Sequence, residues 1–327
     1  MLRYLIRKSA GWLAMIVIAA NLTYFLATAF LDPRSNYLQL RPTPPPEQVA
    51  RSLEQYNLNP ETPVLERWWT WLTSIVLHWD WGRSPIGDSV NAQVAFRIGV
   101  SAQLVVLGLT LAAVVGVALG VYTATRQYSF ADRLQQGLSV FTLNVPLVVG
   151  ALAVVLVAIS VNQALGTTVL FVAGANSPSV SGFWPTVLDR LQHLVLPTVT
   201  LVLFSYAGYH LLQRNLLLDD VNSDYVRTAR AKGLTRTQAV RRHALRTTLI
   251  PVATSVAFAI PALFTGAVIT ETIFAWQGMG QYMIQSIAKN DVHAVVAVAV
   301  FGAAMTALGA ILADIAVVVL DPRVRLT

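Results

Sequence analysis

The sequence predicts an all-α, polytopic membrane protein with six transmembrane helices, and three observations carry that reading. The 327 residues are 55% hydrophobic and only 12% charged, with a mean hydropathy of +0.58. An average soluble domain carries about 25% charged residues, so this chain has too little polar surface to face water on all sides. Apolar segments of about 20 residues, the length that a helix needs to cross the hydrocarbon layer, recur along it. Basic residues gather unevenly between them, as they do where topology is set by the retention of Lys and Arg on one side.

The six spans fall at residues 10–31, 98–125, 138–161, 194–212, 249–276 and 294–320. An apolar patch at 167–175 is too short to cross and is expected to be re-entrant or buried. With the N-terminus placed in the cytoplasm, 15 of the 23 Lys and Arg residues fall inside, and six of the eight outside lie in one long loop, where charge has little control over topology. Both termini are therefore expected to be cytoplasmic. The start also resembles a secretory signal, with Arg3, Arg7 and Lys8 before an apolar run and Ala27-Thr28-Ala29 as a cleavage site. The run is long for such a signal and five further spans follow, so an uncleaved first span is expected. The chain divides into residues 1–31, an extracytoplasmic segment 32–97, a five-helix core 98–320 that contains a cytoplasmic loop at 213–250, and a cytoplasmic end at 321–327.

Segment 32–97 opens on a Pro-rich stretch, Arg41 to Gln48, that favours extended structure. A short helix is expected from Pro46, because Pro at the first helical position loses no hydrogen bond. Trp68, Trp69, Trp71, Trp79 and Trp81 follow. An aromatic cluster at a membrane edge points to an interfacial helix on the outer leaflet, in preference to a vestibule that touches a delivered ligand.

Several chemistries are excluded. The sequence has no Cys, so no disulfide and no thiolate ligand or nucleophile. It has no P-loop, no G-x-S-x-G and no H-E-x-x-H. The five His residues lack metal-ligand spacing, and residues 278–283, Gly-Met-Gly-Gln-Tyr-Met, read as a turn. No catalytic residue, cofactor, metal or nucleic-acid partner is expected. Two acids fall at membrane depth, Glu271 and Asp314, where burial of charge is costly. They are either ion-coupling sites or groups that pack helices or line a path. The second reading is preferred, because no intramembrane cation answers them: His210 is the only near candidate, and Arg214 can snorkel to the inner surface. Gly116 and Gly120 form a step that lets helices approach closely, and Pro146, Pro197 and Pro261 are positioned to kink or end spans.

The loop at 213–250 is the exception to the general apolarity, with eight basic residues and three acids between Arg214 and Arg246. Ser223 is positioned to cap a helix that begins with Asp224. Val226, Ala229 and Gly233 form a stripe of small residues on one face. Gly233 suits a helix C-terminus and Thr235-x-x-Gln238 a capping box for a second helix. Two short helices joined by a Gly turn are expected. Charge alone fits contact with anionic lipid as well as docking to a partner.

The residues Asp224 to Leu234, Asp-Tyr-Val-Arg-Thr-Ala-Arg-Ala-Lys-Gly-Leu, with Ile250-Pro251 downstream, resemble the coupling loop of ABC importer permeases. The Glu that gives that motif its name is absent, and Arg227 or Thr228 occupies its neighbourhood. This version is similar to the oligopeptide and dipeptide branch. Residues 79–84, 193–201, 271–283 and 320–326 resemble further pieces of that branch in the right order, so the likeness covers nearly the whole chain. The resemblance implies the type I importer permease fold in a bacterial inner membrane. It also implies a second homologous permease, two ATP-binding subunits and an extracytoplasmic substrate-binding protein as partners, with lipid around them. It places Ala229 and Gly233 in close docking to an ATP-binding subunit, with Asp224, Arg227, Lys232 and Arg236 around them. Gly233→Glu is expected to abolish uptake without unfolding the protein. Peptides are the expected cargo, with glutathione, haem-like compounds or nickel chelates as alternatives in the same class. A different class, an ion-coupled carrier without an ATPase, would work through Glu271.

Overall fold

In the computed structural model, residues 2–38, 40–178, 180–221 and 223–320 are described. Among them there is no strand, only one isolated bridge between Arg83 and Ser89. The helices are α1 (Leu2–Phe30), α2 (Ser35–Leu38), α3 (Pro46–Gln55), α4 (Val64–His78), α5 (Val90–Thr125), α6 (Phe130–Asn144), α7 (Leu147–Leu165) and α8 (Phe183–Asp220). After them come α9 (Asp224–Ala231), α10 (Arg236–Ala239), a π-helical turn (Val240–Ala244), α11 (Leu245–Gly266), α12 (Val268–Ile273), α13 (Met279–Ala288) and α14 (Val292–Leu320).

Five of these, the stretches at residues 6–38, 90–125, 147–165, 183–220 and 292–320, are long and apolar enough to cross a membrane. The sixth apolar helix, α11, has 22 residues. Two expected spans are broken. The span at 138–161 is two helices, because Val145 stands before Pro146 and takes the extended backbone (φ −81°, ψ 123°) that a following proline imposes. The span at 249–276 stops at Gly266, and a short α12 follows.

The centre of the bundle is the pair α5 and α8. Glycines at 108, 116 and 120 lie along one face of α5, and each meets α8. A Cβ on Gly116 would stand 2.6 Å from the Tyr206 carbonyl oxygen, and one on Gly120 would stand 2.8 Å from that of His210. The helices therefore touch backbone to backbone, which is what small residues at this spacing permit. Pro197 sits inside α8, which continues through it.

The helix α3 starts at Pro46 as expected. The Trp-rich helix packs one face on the bundle and leaves Leu65, Trp69, Val76 and Leu77 exposed. Trp71 of α4 is buried and stacks on Tyr24 of α1 with ring centres 4.7 Å apart. Trp68 donates its indole N–H to Asn21 at 2.6 Å. Leu53 and Leu58 join the same core with Val292 and Val296 of α14. Residues 46–81 are thus folded onto the bundle, while Trp69 and Trp79 stay exposed. The apolar patch at 167–175 is an irregular stretch pinned by Asn162, which accepts from Val169 and Leu170 N–H, and by Gly174 N–H donating to Phe274.

At the opposite end, Lys8 of α1 meets Asp314 of α14, and Arg246 donates to the Leu320 carbonyl. The start of α1 and the finish of α14 therefore share the end that carries α9 and α10, hereafter the loop end. The expected cytoplasmic end at 321–327 lies outside the described residues.

Candidate functional site

The loop is built as the sequence signals it, apart from the Ser223 cap and one reversal. Gly233 N–H donates to the Arg230 carbonyl at 3.0 Å and Leu234 N–H to that of Ala229 at 3.3 Å. This paired pattern closes a helix with a left-handed residue, and Gly233 has φ +94°. Thr235 and Gln238 exchange bonds across the next N-terminus, Thr235 N–H to Gln238 Oε1 at 3.0 Å and Gln238 N–H to Thr235 Oγ1 at 3.3 Å. Ser223 does not cap α9 with its side chain; its hydroxyl donates to the Asp220 carbonyl instead.

The reversal concerns the small-residue stripe. Val226 and Ala229 are buried against this chain's own Ala124, Leu217, Val221, Ala239, Val240 and Ala244. They seat α9 on the ends of α5 and α8 and present nothing outward. The residues left outside are Asp224, Tyr225, Arg227, Thr228, Arg230, Ala231, Lys232 and Gly233. Asp224 and Arg227 face each other at 3.7 Å, both exposed. Arg236 opens α10; its side chain lies outside the described set. Nothing stands within 4 Å of where a Gly233 Cβ would point. Asp220 Oδ2 accepts from Tyr225 at 2.6 Å and from Thr247 at 2.7 Å, so a single carboxylate ties α8, α9 and α11 together.

Behind the loop, α8 carries a buried polar ladder at His210, Gln213 and Arg214. The imidazole of His210 lies within hydrogen-bond distance of Thr123 on α5 (3.0 Å) and Ser139 on α6 (2.8 Å). Gln213 donates to Thr248 of α11 at 2.9 Å. Arg214 does not snorkel to a surface, as the sequence suggested. It is buried and paired in two-pronged fashion with Asp132 of α6. Asp132 also accepts from Tyr128 N–H and Gln136, so both its oxygens are committed. The sequence carried a signal for this acid that went unused: Ser129-x-x-Asp132 starts a helix, with Ser129 Oγ accepting from Asp132 N–H.

The two acids expected at membrane depth are both engaged: a cation answers Asp314, against the expectation, while none of the ion pairs among the described residues includes Glu271. Asp314 pairs with Lys8. Glu271 is fully buried and accepts from Ser101 of α5 at 2.6 Å and from Gln281 N–H at 2.9 Å. Ser101 in turn accepts from Met279 N–H at 2.8 Å. Glu271 therefore serves the open N-terminus of α13, where unpaired amides and the helix dipole favour a carboxylate. A Cβ at Gly278 would run into both Glu271 and Ser101, so the close approach needs a glycine there; residues 278–283, expected to be a turn, are instead the N-cap and first turn of α13. Trp276, wholly buried, donates to the Val100 carbonyl beside it.

Away from the loop end, α5 and α13 border a half-open polar cleft of about 460 Å³ that includes Gln93, Arg97, Gln277, Gln281 and Gln285. Arg97 stands inside α5, which begins at Val90, seven residues before the expected boundary of the extracytoplasmic segment. Among the described residues no group of His, Asp and Glu is arranged to hold a metal.

A packed bundle of helices long and apolar enough to cross a membrane, with a capped helical loop at one end, defines a polytopic membrane protein. Residues 116–326 match the family described as the inner membrane component of binding-protein-dependent transport systems, and the chain belongs to that family. It is 40% identical over 328 residues to the oligopeptide transport system permease protein OppB of Mycobacterium tuberculosis (strain ATCC 25618 / H37Rv), with all of both chains covered. It is 30% identical over 328 residues to the dipeptide transport system permease protein DppB of Bacillus subtilis (strain 168), covering 100% of this chain and 99% of that one. Against DppB of Escherichia coli (strain K12) it is 29% identical over 301 residues, 86% of each chain. The chain is a permease subunit and not an enzyme.

Proposed function

We propose that this chain forms half of a translocation path for peptides in a bacterial inner membrane, beside a second homologous permease. ATP-binding subunits dock beneath it and an extracytoplasmic binding protein delivers the cargo. The loop end faces the cytoplasm, with both termini there, and the Trp-rich segment at 32–97 faces outside. The full-length similarity to oligopeptide and dipeptide permeases supports the cargo class.

The observation that carries the drive mechanism is the orientation of α9. Its apolar face is spent on the chain's own core, and its outer face offers Asp224, Arg227, Lys232 and Gly233; Arg236 comes next in the sequence. Ala229 acts from beneath, by holding α9 close to α8. A push on α9 passes through Asp220 to α8 and α11 at once. The buried ladder on α8 then joins that motion to α5 and α6. Glu271, held by Ser101 and the Gln281 N–H, and Asp314, paired with Lys8, serve helix packing, a reading that favours the ATP-driven importer over an ion-coupled carrier.

The test is Ala231→Trp, which adds bulk to the exposed face of α9 and leaves its buried face alone. The altered chain is expected to insert normally, to lose co-purification with the ATP-binding subunit and to stop uptake. Normal uptake by that variant would contradict docking on this face.

A further inference from the structure

The cleft between α5 and α13 lies apart from the loop end and gathers long polar side chains. Gln93 and Arg97 stand one turn apart on α5, and Gln281 and Gln285 one turn apart on α13, so two helices bring four long polar side chains to one space. A smaller adjoining cavity of about 120 Å³ shares Gln93, Arg97 and Gln285 and adds Lys289 with Asp88 and Asp291. Arg97 lies between the two.

Its guanidinium is held but not neutralised. Nε donates to Gln93 at 3.1 Å, and the group lies over the Tyr282 ring, 4.5 Å from its centre. Nη1 is buried with no hydrogen-bond partner, and so is Oε1 of Gln281. Among the described residues no acid forms an ion pair with Arg97. Glu271, on the neighbouring α12, is committed to Ser101 and the Gln281 N–H. A guanidinium fixed in place with an open donor is costly unless a ligand completes it. Its planar fork matches a carboxylate. Side-chain amides offer both donor and acceptor, and can pair with peptide groups whatever side chains those carry.

We propose that Arg97 receives the C-terminal carboxylate of the transported peptide, while Gln93, Gln277, Gln281 and Gln285 hydrogen-bond its peptide groups. This rests on the peptide-importer reading above. It makes the permease selective for a free chain end and tolerant of sequence.

The test compares uptake of trialanine, trialanine amide and Ala-Ala-Glu amide by the complete transporter in proteoliposomes. Wild type is expected to take up trialanine about tenfold faster than its amide, the discrimination that one charge-assisted hydrogen bond supplies. Ala-Ala-Glu amide should be no better than trialanine amide; uptake matching trialanine would overturn assignment to the chain terminus. Arg97→Gln should bring the trialanine-to-amide ratio close to one, and Arg97→Lys should restore part of it. Gln285→Glu, which leaves Arg97 in place and puts a competing carboxylate in the cleft, should lower the ratio too, and decides the matter if Arg97→Gln fails to assemble. An unchanged ratio in these variants would overturn the assignment and place any selectivity in the binding protein. No peptide uptake by wild type would overturn the importer reading itself.

Discussion

Arg214 of α8 and Asp132 of α6 form a bidentate ion pair, Nε to Oδ1 at 2.7 Å and Nη2 to Oδ2 at 2.9 Å, with the carboxylate wholly buried. Removing one partner leaves a buried charge unanswered, so Arg214→Leu or Asp132→Ala is expected to cost about 3–5 kcal/mol. Replacing both by apolar residues should recover much of that. The check is a double-mutant cycle on thermal unfolding in detergent. The Arg214 guanidinium beside Asp132 holds its carboxyl below the usual carboxylate range. The pair's contribution is therefore full above the ordinary carboxylate pKa and is lost only as pH falls through the lowered value.

The opposite sign is expected at Asp291, which precedes α14 and accepts from Ala294 N–H at 3.0 Å. Burial pushes its pKa up to about 6. An acid raised in the folded state contributes stability that is full below its unfolded pKa and lost as pH rises through the folded value. Unfolding scans at pH 4 and pH 7 should show the protein more stable at pH 4 by on the order of 2 kcal/mol at this site. Asp291→Asn should flatten that difference.

The α5–α8 contact depends on the absence of a Cβ at Gly116. Gly116→Ala places a methyl against the Tyr206 backbone, and overpacking of this kind costs about 1–3 kcal/mol. Gly99→Ala, on the same helix with open space around it, should be neutral or slightly stabilising. Yields of folded protein after detergent extraction compare the two.

At the end of α9, Gly233→Val forces a branched side chain into left-handed backbone, at about 1–2 kcal/mol. The open space around its Cβ position means that the penalty is conformational, not steric. Faster amide exchange confined to α9 is the expected result, and Gly233→Asn should largely avoid it.

Much of this was legible in the sequence, for reasons particular residues make clear. Gly233 and the Thr235–Gln238 pair act locally, through turn and cap chemistry, and stand where the sequence put them. The start of α3 at Pro46 is equally local. What escaped depends on partners far along the chain. Hydropathy joined α6 to α7 because it does not register the backbone demand of Pro146. Val226 and Ala229 advertised a small face without saying that α8 and the π-helical turn cover it. The pairings of Arg214 with Asp132, Lys8 with Asp314 and Glu271 with Ser101 span 82, 306 and 170 residues, beyond the reach of spacing rules.

The outward face of α9 as the place where a partner drives the helices is most directly tested by thiol labelling, since the chain has no Cys of its own. Arg230→Cys is compared in the isolated chain and in the assembled transporter, with Glu61→Cys as a site far from the loop end. Maleimide labelling at position 230 should be fast in the isolated chain and strongly slowed in the complex, and should change when nucleotide closes the ATP-binding pair. Labelling at position 61 should not respond to the nucleotide-binding chains. Equal labelling of position 230 with and without the ATP-binding subunits would contradict the account.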